Sequence, residues 1–182
     1  MIRPALAFLA AFILAFAAPS AATAQIGGPP DTSVLAASGV VFPERLGNFV
    51  RVGISSVMPG RIGGSYNLPP QAPGMPVADI FVAPVNLELA AELDNTEGLI
   101  AANFQNLKLI RPLRAPSGAP GAVGRLSSAT LEGHPVLTGV ILYHRRGWRI
   151  KVRATLDAAR GEAGWAEVDK MLEAFDWNGP GA

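Results

Sequence analysis

Residues 136–155, VLTGVILYHRRGWRIKVRAT, decide the fold. Two runs of alternating side chains flank Arg146 and Gly147, and the glycine supplies the positive φ angle that a two-residue hairpin turn needs. The pattern therefore predicts that a strand over 136–145 pairs with a strand over 148–155 in an antiparallel hairpin.

The predicted register sorts this hairpin into two faces. One face is apolar, with Trp148 at its end, and it pairs Tyr143 with Ile150, Ile141 with Val152 and Gly139 with Ala154. The opposite face pairs His144 with Arg149, Leu142 with Lys151 and Val140 with Arg153. Because a slip of one residue would mix the two faces, the pattern favours this register.

Arg149, Lys151 and Arg153 form a cationic row on one side of the second strand, and two interpretations of it stay open. In the first, acidic helix surfaces at 88–97 or 162–176 cover the row, so that its charged heads reach acids or water. In the second, the row is an open face that attracts an anionic partner, which is a lipid headgroup, a polymer or a protein. Surface ion pairs are common although they stabilise little, which favours the first interpretation.

The first residues are typical of an export signal. A cation precedes an uncharged apolar run over 5–18, which has the length of a secretory signal core and is short for a bilayer span. Small residues at 22–24 predict cleavage between Ala24 and Gln25, and small residues at 20–22 offer a second cleavage site. An uncleaved anchor is the alternative. We therefore expect a periplasmic or secreted protein with no stable membrane span after cleavage.

Composition limits the function classes. The chain of 182 residues has no cysteine, which excludes disulfides, thiol catalysis and thiolate metal sites. Fifteen Lys and Arg face 14 Asp and Glu, and this balance does not favour a nucleic-acid binder. The charge is nevertheless segregated along the chain, because 88–97 and 157–176 are acidic whereas 108–153 is basic.

Periodicity predicts the remaining elements. Further strands are expected at 40–42, 49–57, 62–66, 77–85 and 125–131, a helix at 87–107, a second helix along the stripe from Trp165 to Phe175, and loops at 67–76 and 112–124. The resulting order β-β-β-β-α-β-β-β-α predicts an α+β fold, a mainly antiparallel sheet packed with two helices. The expected organisation is a signal peptide at 1–24, a flexible lead-in at 25–38, a single domain at 39–178 and a tail at 179–182.

Two segments resemble a known family. Residues 41–51 (VFPERLGNFVR) and 147–155 (GWRIKVRAT) are similar to uncharacterised exported proteins of Gram-negative bacteria, and the resemblance extends over about 40–177. That family resembles in outline the PsbP-like α/β/α layered sandwich. The resemblance implies a periplasmic location and no assigned enzyme activity, and it transfers no functional residue. The loops at 67–76 and 116–124 depart from the strands expected there.

The sequence contains no catalytic motif. It lacks a phosphate-binding glycine loop and a nucleophile elbow, and we predict no catalytic, cofactor-binding or metal-ligating residue. The expected function is therefore that of a non-catalytic interaction or accessory domain that contacts another envelope component or an anionic surface. Two alternatives remain: a hydrolase with a site assembled from Ser127, Glu132 and His134, and a carrier of a small apolar ligand held between helix and sheet.

Overall fold

The computed structural model describes residue 30, residues 32–69 and residues 77–179. The cleavage site predicted at Ala24 and Gln25 lies outside the described residues, as does most of the proline-rich loop at 67–76. Within the described part, an eight-stranded antiparallel sheet packs with three α-helices, which confirms the α+β class. No helix among these residues is long and apolar enough to cross a bilayer.

Eleven main elements follow one another along the described chain. They are α1 (Thr32–Ser38), β1 (Arg45–Leu46), β2 (Phe49–Met58), β3 (Arg61–Asn67), β4 (Ala78–Pro84), α2 (Leu89–Asn103), β5 (Gln105–Pro112), β6 (Val123–Leu131), β7 (His134–Arg145), β8 (Trp148–Asp157) and α3 (Gly161–Ala174), and a 3₁₀ turn (Ala158–Arg160) precedes α3. In space the strands are ordered β1-β2-β3-β4-β8-β7-β6-β5, and every neighbouring pair is antiparallel. The β7–β8 hairpin therefore lies inside the sheet, with β4 on one side and β6 on the other.

The hairpin has the predicted turn and register. Arg146 and Gly147 have φ angles of 48° and 81°, and two positive values in succession are typical of a type I′ turn. All six residue pairs predicted from the alternation are formed. The short-range pattern in this stretch thus determines which residues face each side of the sheet.

Each face of the sheet has its own hydrophobic core. On one face, α1 and α3 cover a large core that includes Trp165, Ile150 and Val152. On the other face, α2 contributes Leu93 and Ile100 to a smaller core. Since β8 alternates between the two, its even-numbered side chains fill the first core and its cationic row turns towards the α2 side.

Arg145 joins the two ends of the described chain. Its side chain is buried, and it donates one hydrogen bond to the carbonyl oxygen of Trp177 at 2.9 Å and another to that of Ser38. The Trp177 indole in turn donates to the carbonyl oxygen of Leu172 at 2.7 Å, and its ring packs edge-to-face against Tyr143. The ends of α1 and α3 are therefore held at one place.

The start of the domain differs from the sequence-based expectation in two ways. Thr32–Ser38, within the segment expected to be a flexible lead-in, forms α1, because Val34 packs in the larger core and Gly39 ends the helix with a φ angle of 62°. Residues 40–42 are not a strand. Phe42 lies over Gly64, and the Phe42 carbonyl accepts a hydrogen bond from the Arg51 side chain instead of from a neighbouring strand.

The predicted helix at 87–107 is too long at its C-terminal end. It stops at Asn103, whose side-chain amide donates to the carbonyl oxygen of Leu99 at 2.7 Å, and Asn106 then adopts a φ angle of 55°. The chain continues as β5, an edge strand that the sequence did not predict. The order of elements therefore contains one more helix at its start and one more strand after α2 than the two-helix arrangement expected.

Substituting Gly139 by alanine should test the packing of α3 on the sheet. An added Cβ would lie 2.3 Å from Cη2 of the Trp165 ring, so we expect the free energy of unfolding to fall by about 1–3 kcal/mol in urea denaturation. Gly53→Ala is the control, because no atom lies within 4 Å of the added group. Equal stability of the two variants would show that Trp165 is not packed on Gly139.

Candidate anion-binding cleft

The cationic row lies on the floor of a cleft beside α2. Through the β4–β8 pairing, Arg149, Lys151 and Arg153 stand opposite Ala83, Phe81 and Asp79. Since α2 packs over β5, β6 and β7, the adjacent surface of β8 and β4 is left as a hollow between the helix and the β2–β3 hairpin.

This cleft has a volume of about 220 Å³. The residues that line it come from β8, β4, the β2–β3 hairpin and α2: Arg149, Lys151, Arg153, Phe81, Val82, Ala83, Val57, Arg61, Thr96, Leu99 and Ile100. It thus combines four cationic side chains with a surface that is otherwise mostly hydrocarbon.

Arg149 is the member of the row that an acid neutralises. Its guanidinium forms a salt bridge with Glu92 of α2, and both side chains are buried, at 7% and 6% relative exposure. The acidic surface at 88–97 therefore covers one end of the row. The other acidic segment, 162–176, contains most of α3, which packs on the opposite face of the sheet.

Lys151, at the centre of the row, forms no salt bridge with any described carboxylate. Its ammonium group lies 5.4 Å from the centroid of the Phe81 ring. Burial, followed by the charge of Arg149, lowers the pKa of Lys151; Arg153 and Arg61 act in the same direction, whereas Glu92 opposes them. The ammonium thus lies in a partly dry site whose nearby charges are mainly positive.

Arg153, at the end of the row, lies between the Phe104 ring and the Asp79 carboxyl group. Its guanidinium carbon lies 5.5 Å from the centroid of the Phe104 ring. Across the strand pair, burial raises the pKa of Asp79, although a hydrogen bond of 2.6 Å from Ser65 and the charge of Arg153 act in the opposite direction. With Arg61, the cleft and its margin carry four cations against the carboxyl groups of Glu92 and Asp79.

Two buried polar atoms in lining residues have no hydrogen-bond partner within the described part of the chain. They are the Thr96 hydroxyl oxygen, Oγ1, and the Arg149 Nε. Thr96 is 4% exposed, so bulk water does not readily reach this hydroxyl. Buried donors of this kind are costly while they lack an acceptor.

The residues considered for a hydrolase do not form a site. Ser127 pairs with Thr138 and His134 pairs with Leu131, which separates Ser127 from His134 by four residues along the strands, or about 13 Å. The distance between Ser127 and His134 is too long for a nucleophile and its general base. Nor do the described residues contain a group of three or more His, Asp or Glu that could hold a metal ion.

The amino-acid sequence predicts the cationic row but not the other residues of the cleft. Arg61, Thr96 and Leu99 come from two elements that are remote from β8 in sequence, and only the β4–β8 pairing and the position of α2 bring them together. The Thr96 hydroxyl within an otherwise apolar helical stripe was the one sequence signal that could have indicated a polar contact.

Comparison with known proteins yields structural likenesses only. No protein-family model matches the sequence, and no curated protein matches it. The chain is similar to LpqN, involved in cell envelope biogenesis of Mycobacterium tuberculosis, at 14% identity and a TM-score of 0.47 over 74% of this chain and 79% of that chain. It is also similar to PA94, a protein of unknown function from Pseudomonas aeruginosa, at 14% identity and a TM-score of 0.42 over 68% and 95% of the two chains.

Removing the acid of the buried ion pair should destabilise the fold. Glu92→Gln leaves the Arg149 charge buried without its counter-ion, and we expect a loss of about 3–5 kcal/mol in the free energy of unfolding. The double variant E92L/R149M replaces the pair by apolar groups and should recover most of that loss. Glu162→Gln, at the more exposed pair with Arg111, is the control and should change stability little. A double variant as unstable as E92Q would contradict this account.

Thr96→Val should not destabilise the protein, in contrast to Thr138→Val. Both hydroxyls are buried, but that of Thr138 shares a hydrogen bond of 3.1 Å with the Thr155 hydroxyl, whereas that of Thr96 has no partner in the described chain. Thermal and urea denaturation should therefore give a loss of about 1 kcal/mol for T138V only. An equal loss for T96V would mean that its hydroxyl is already satisfied in the folded protein.

Proposed function

We propose that this protein is a non-catalytic binding domain that acts outside the cytoplasm and takes an anionic ligand in the cleft above β8. The observation that carries the proposal is the Lys151 ammonium, which lies in a concave and partly apolar site without a carboxylate partner among the described residues. An ionised group in such a place is costly unless a counter-charge approaches it.

The donors of the cleft suit an oxyanion. An anionic oxygen in the cleft would accept hydrogen bonds from the Lys151 ammonium, from the Arg149 Nε and from the Thr96 hydroxyl, the last two of which lack partners in the described chain. Hydrogen bonds in which the donor or the acceptor is ionised are about twice as strong as those between neutral groups. Glu92 occupies another nitrogen of Arg149, so this carboxylate holds the guanidinium in place without taking up its Nε.

The shape of the site supports binding in a hollow in preference to attachment on a flat surface. A concave surface with low-dielectric walls concentrates the electric field of its charges and raises the local concentration of a ligand of opposite sign. The cleft also lies between α2 and the sheet, where the sequence suggested a carrier of a small apolar ligand. The anionic-partner face predicted at Arg149, Lys151 and Arg153 is thus proposed here as the floor of a binding site.

The proposed location depends on the leader. An export signal at 1–24 that is cleaved between Ala24 and Gln25 would place the mature chain in the periplasm or outside the cell. We further propose that the domain belongs with the exported family that its two segments resemble. Helices on both faces of the sheet support the PsbP-like layered outline of that family.

Removing the Lys151 charge should weaken anion binding. We expect Lys151→Gln to reduce the affinity for ethyl phosphate about tenfold in an NMR titration, because it deletes one charge-assisted hydrogen bond. Lys108→Gln, at an exposed position on the β5 edge, is the matched control and should bind as the unmodified protein does. Similar losses in both variants, or no response of the cleft resonances to ethyl phosphate, would overturn the proposed function.

The same interaction should depend on pH. Because burial and the neighbouring cations lower the pKa of Lys151, its ammonium loses its proton below the ordinary value of 10.5. Affinity for ethyl phosphate should therefore fall as the pH is raised from 8 towards 10.5. Lys151→Arg keeps its charge over this range and should show a flatter profile. Identical profiles for the two proteins would show that Lys151 does not contact the anion.

A further inference from the structure

We infer that the anion taken by the cleft is the headgroup of a single-chain amphiphile, an alkyl phosphate, whose chain lies against α2 and the β2–β3 hairpin. This inference rests on the proposed function and adds the class of ligand. It follows from how polar and apolar groups are distributed over the floor and the walls of the cleft.

Both walls expose hydrocarbon beside the charged floor. Leu99 lines the cleft from α2 and is 58% exposed. On the other wall, Val57 lines the cleft and the adjacent Met58 is 53% exposed, with its sulfur 3.7 Å from an Arg61 guanidinium nitrogen. A ligand that is purely ionic would leave this apolar surface in water.

The polar and apolar contacts of α2 follow each other along one helix. Thr96, with its unpartnered hydroxyl, and Leu99 are three residues apart, so their side chains lie on the same side of α2 about one turn from each other. A ligand that places an oxygen at Thr96 therefore brings the first carbons of its chain to Leu99. This spacing suits a molecule with a charged end and an apolar body.

The net charge and the volume of the cleft further narrow the class of ligand. Arg61, Arg149, Lys151 and Arg153 face the carboxyl groups of Glu92 and Asp79, which leaves two positive charges in excess and matches a phosphate monoester near pH 8. A volume of about 220 Å³ is below the range usual for drug-sized ligands, so it holds a headgroup and the beginning of one chain.

The experiment compares octyl phosphate with compounds that share either its phosphate group or its eight-carbon chain. Isothermal titration at pH 8, below the micelle-forming concentration, should give an affinity for octyl phosphate at least tenfold higher than for ethyl phosphate, since two methylene groups removed from water suffice for that factor. Octanol should bind at least tenfold more weakly than octyl phosphate. Octanoate, which carries a single negative charge, should also bind more weakly.

A matched pair of variants tests whether the alkyl chain of the ligand lies against Leu99. Leu99→Asn should bring the ratio of octyl phosphate to ethyl phosphate affinity towards one. Leu109→Asn, at a leucine of similar exposure on the β5 edge, should leave that ratio as it is.

The outcomes separate this inference from the proposed function. Equal affinities for octyl and ethyl phosphate would overturn the amphiphile and leave the anion site standing. Octanol binding as tightly as octyl phosphate would overturn the headgroup assignment, and octanoate binding as tightly would overturn the preference for phosphate. No binding of any of these compounds would overturn both proposals.

Discussion

The alternation of β8 between two helix layers is the constraint on which the rest of the structure depends. Ile150, Val152 and Ala154 must fill the core under α3, so the residues between them are directed to the α2 side whatever their chemistry. Those residues are cations, and α2 covers only part of the sheet on that side. The fold therefore places charge where hydrocarbon would normally be, and the cleft is the result of that placement.

Buried polar atoms without a partner in the described chain occur on both faces of the sheet: the Arg145 Nε and the Trp165 Nε1 on the α3 side, and the Thr96 Oγ1 and the Arg149 Nε on the α2 side. On the α3 side, the Arg145 guanidinium and the Trp177 indole donate to backbone carbonyl oxygens within the fold. On the α2 side, Lys151 and the Thr96 hydroxyl lack acceptors in the described chain. What distinguishes the α2 side is that Thr96 and Arg149 line a cleft of about 220 Å³.

The sequence predicted what short-range patterns control. The β7–β8 hairpin, its turn at Arg146 and Gly147 and its register follow from local turn chemistry and a period of two, so they could be predicted. The end of α2 and the strand β5 could not, because neither proline nor glycine interrupts 99–111 and the apolar pattern continues across the boundary. The cleft could not be predicted from the sequence for another reason. It forms only when β4 pairs with β8, and the paired residues are about seventy positions apart in the chain.

The two hydrogen bonds of the Arg145 side chain, to the carbonyl oxygens of Ser38 and Trp177, have a practical consequence for the geometry of the molecule. Because the Arg145 side chain binds both carbonyl oxygens, the residues at which the chain enters and leaves the folded domain lie side by side. Tyr143, two residues earlier on the same strand, packs in the core under α3, so this junction belongs to the α3 side of the sheet and not to the α2 side. A dye, a resin linker or a fusion partner joined at either end would therefore leave the cleft beside α2 unobstructed, and a circular permutation joining the two ends would need only a short bridge.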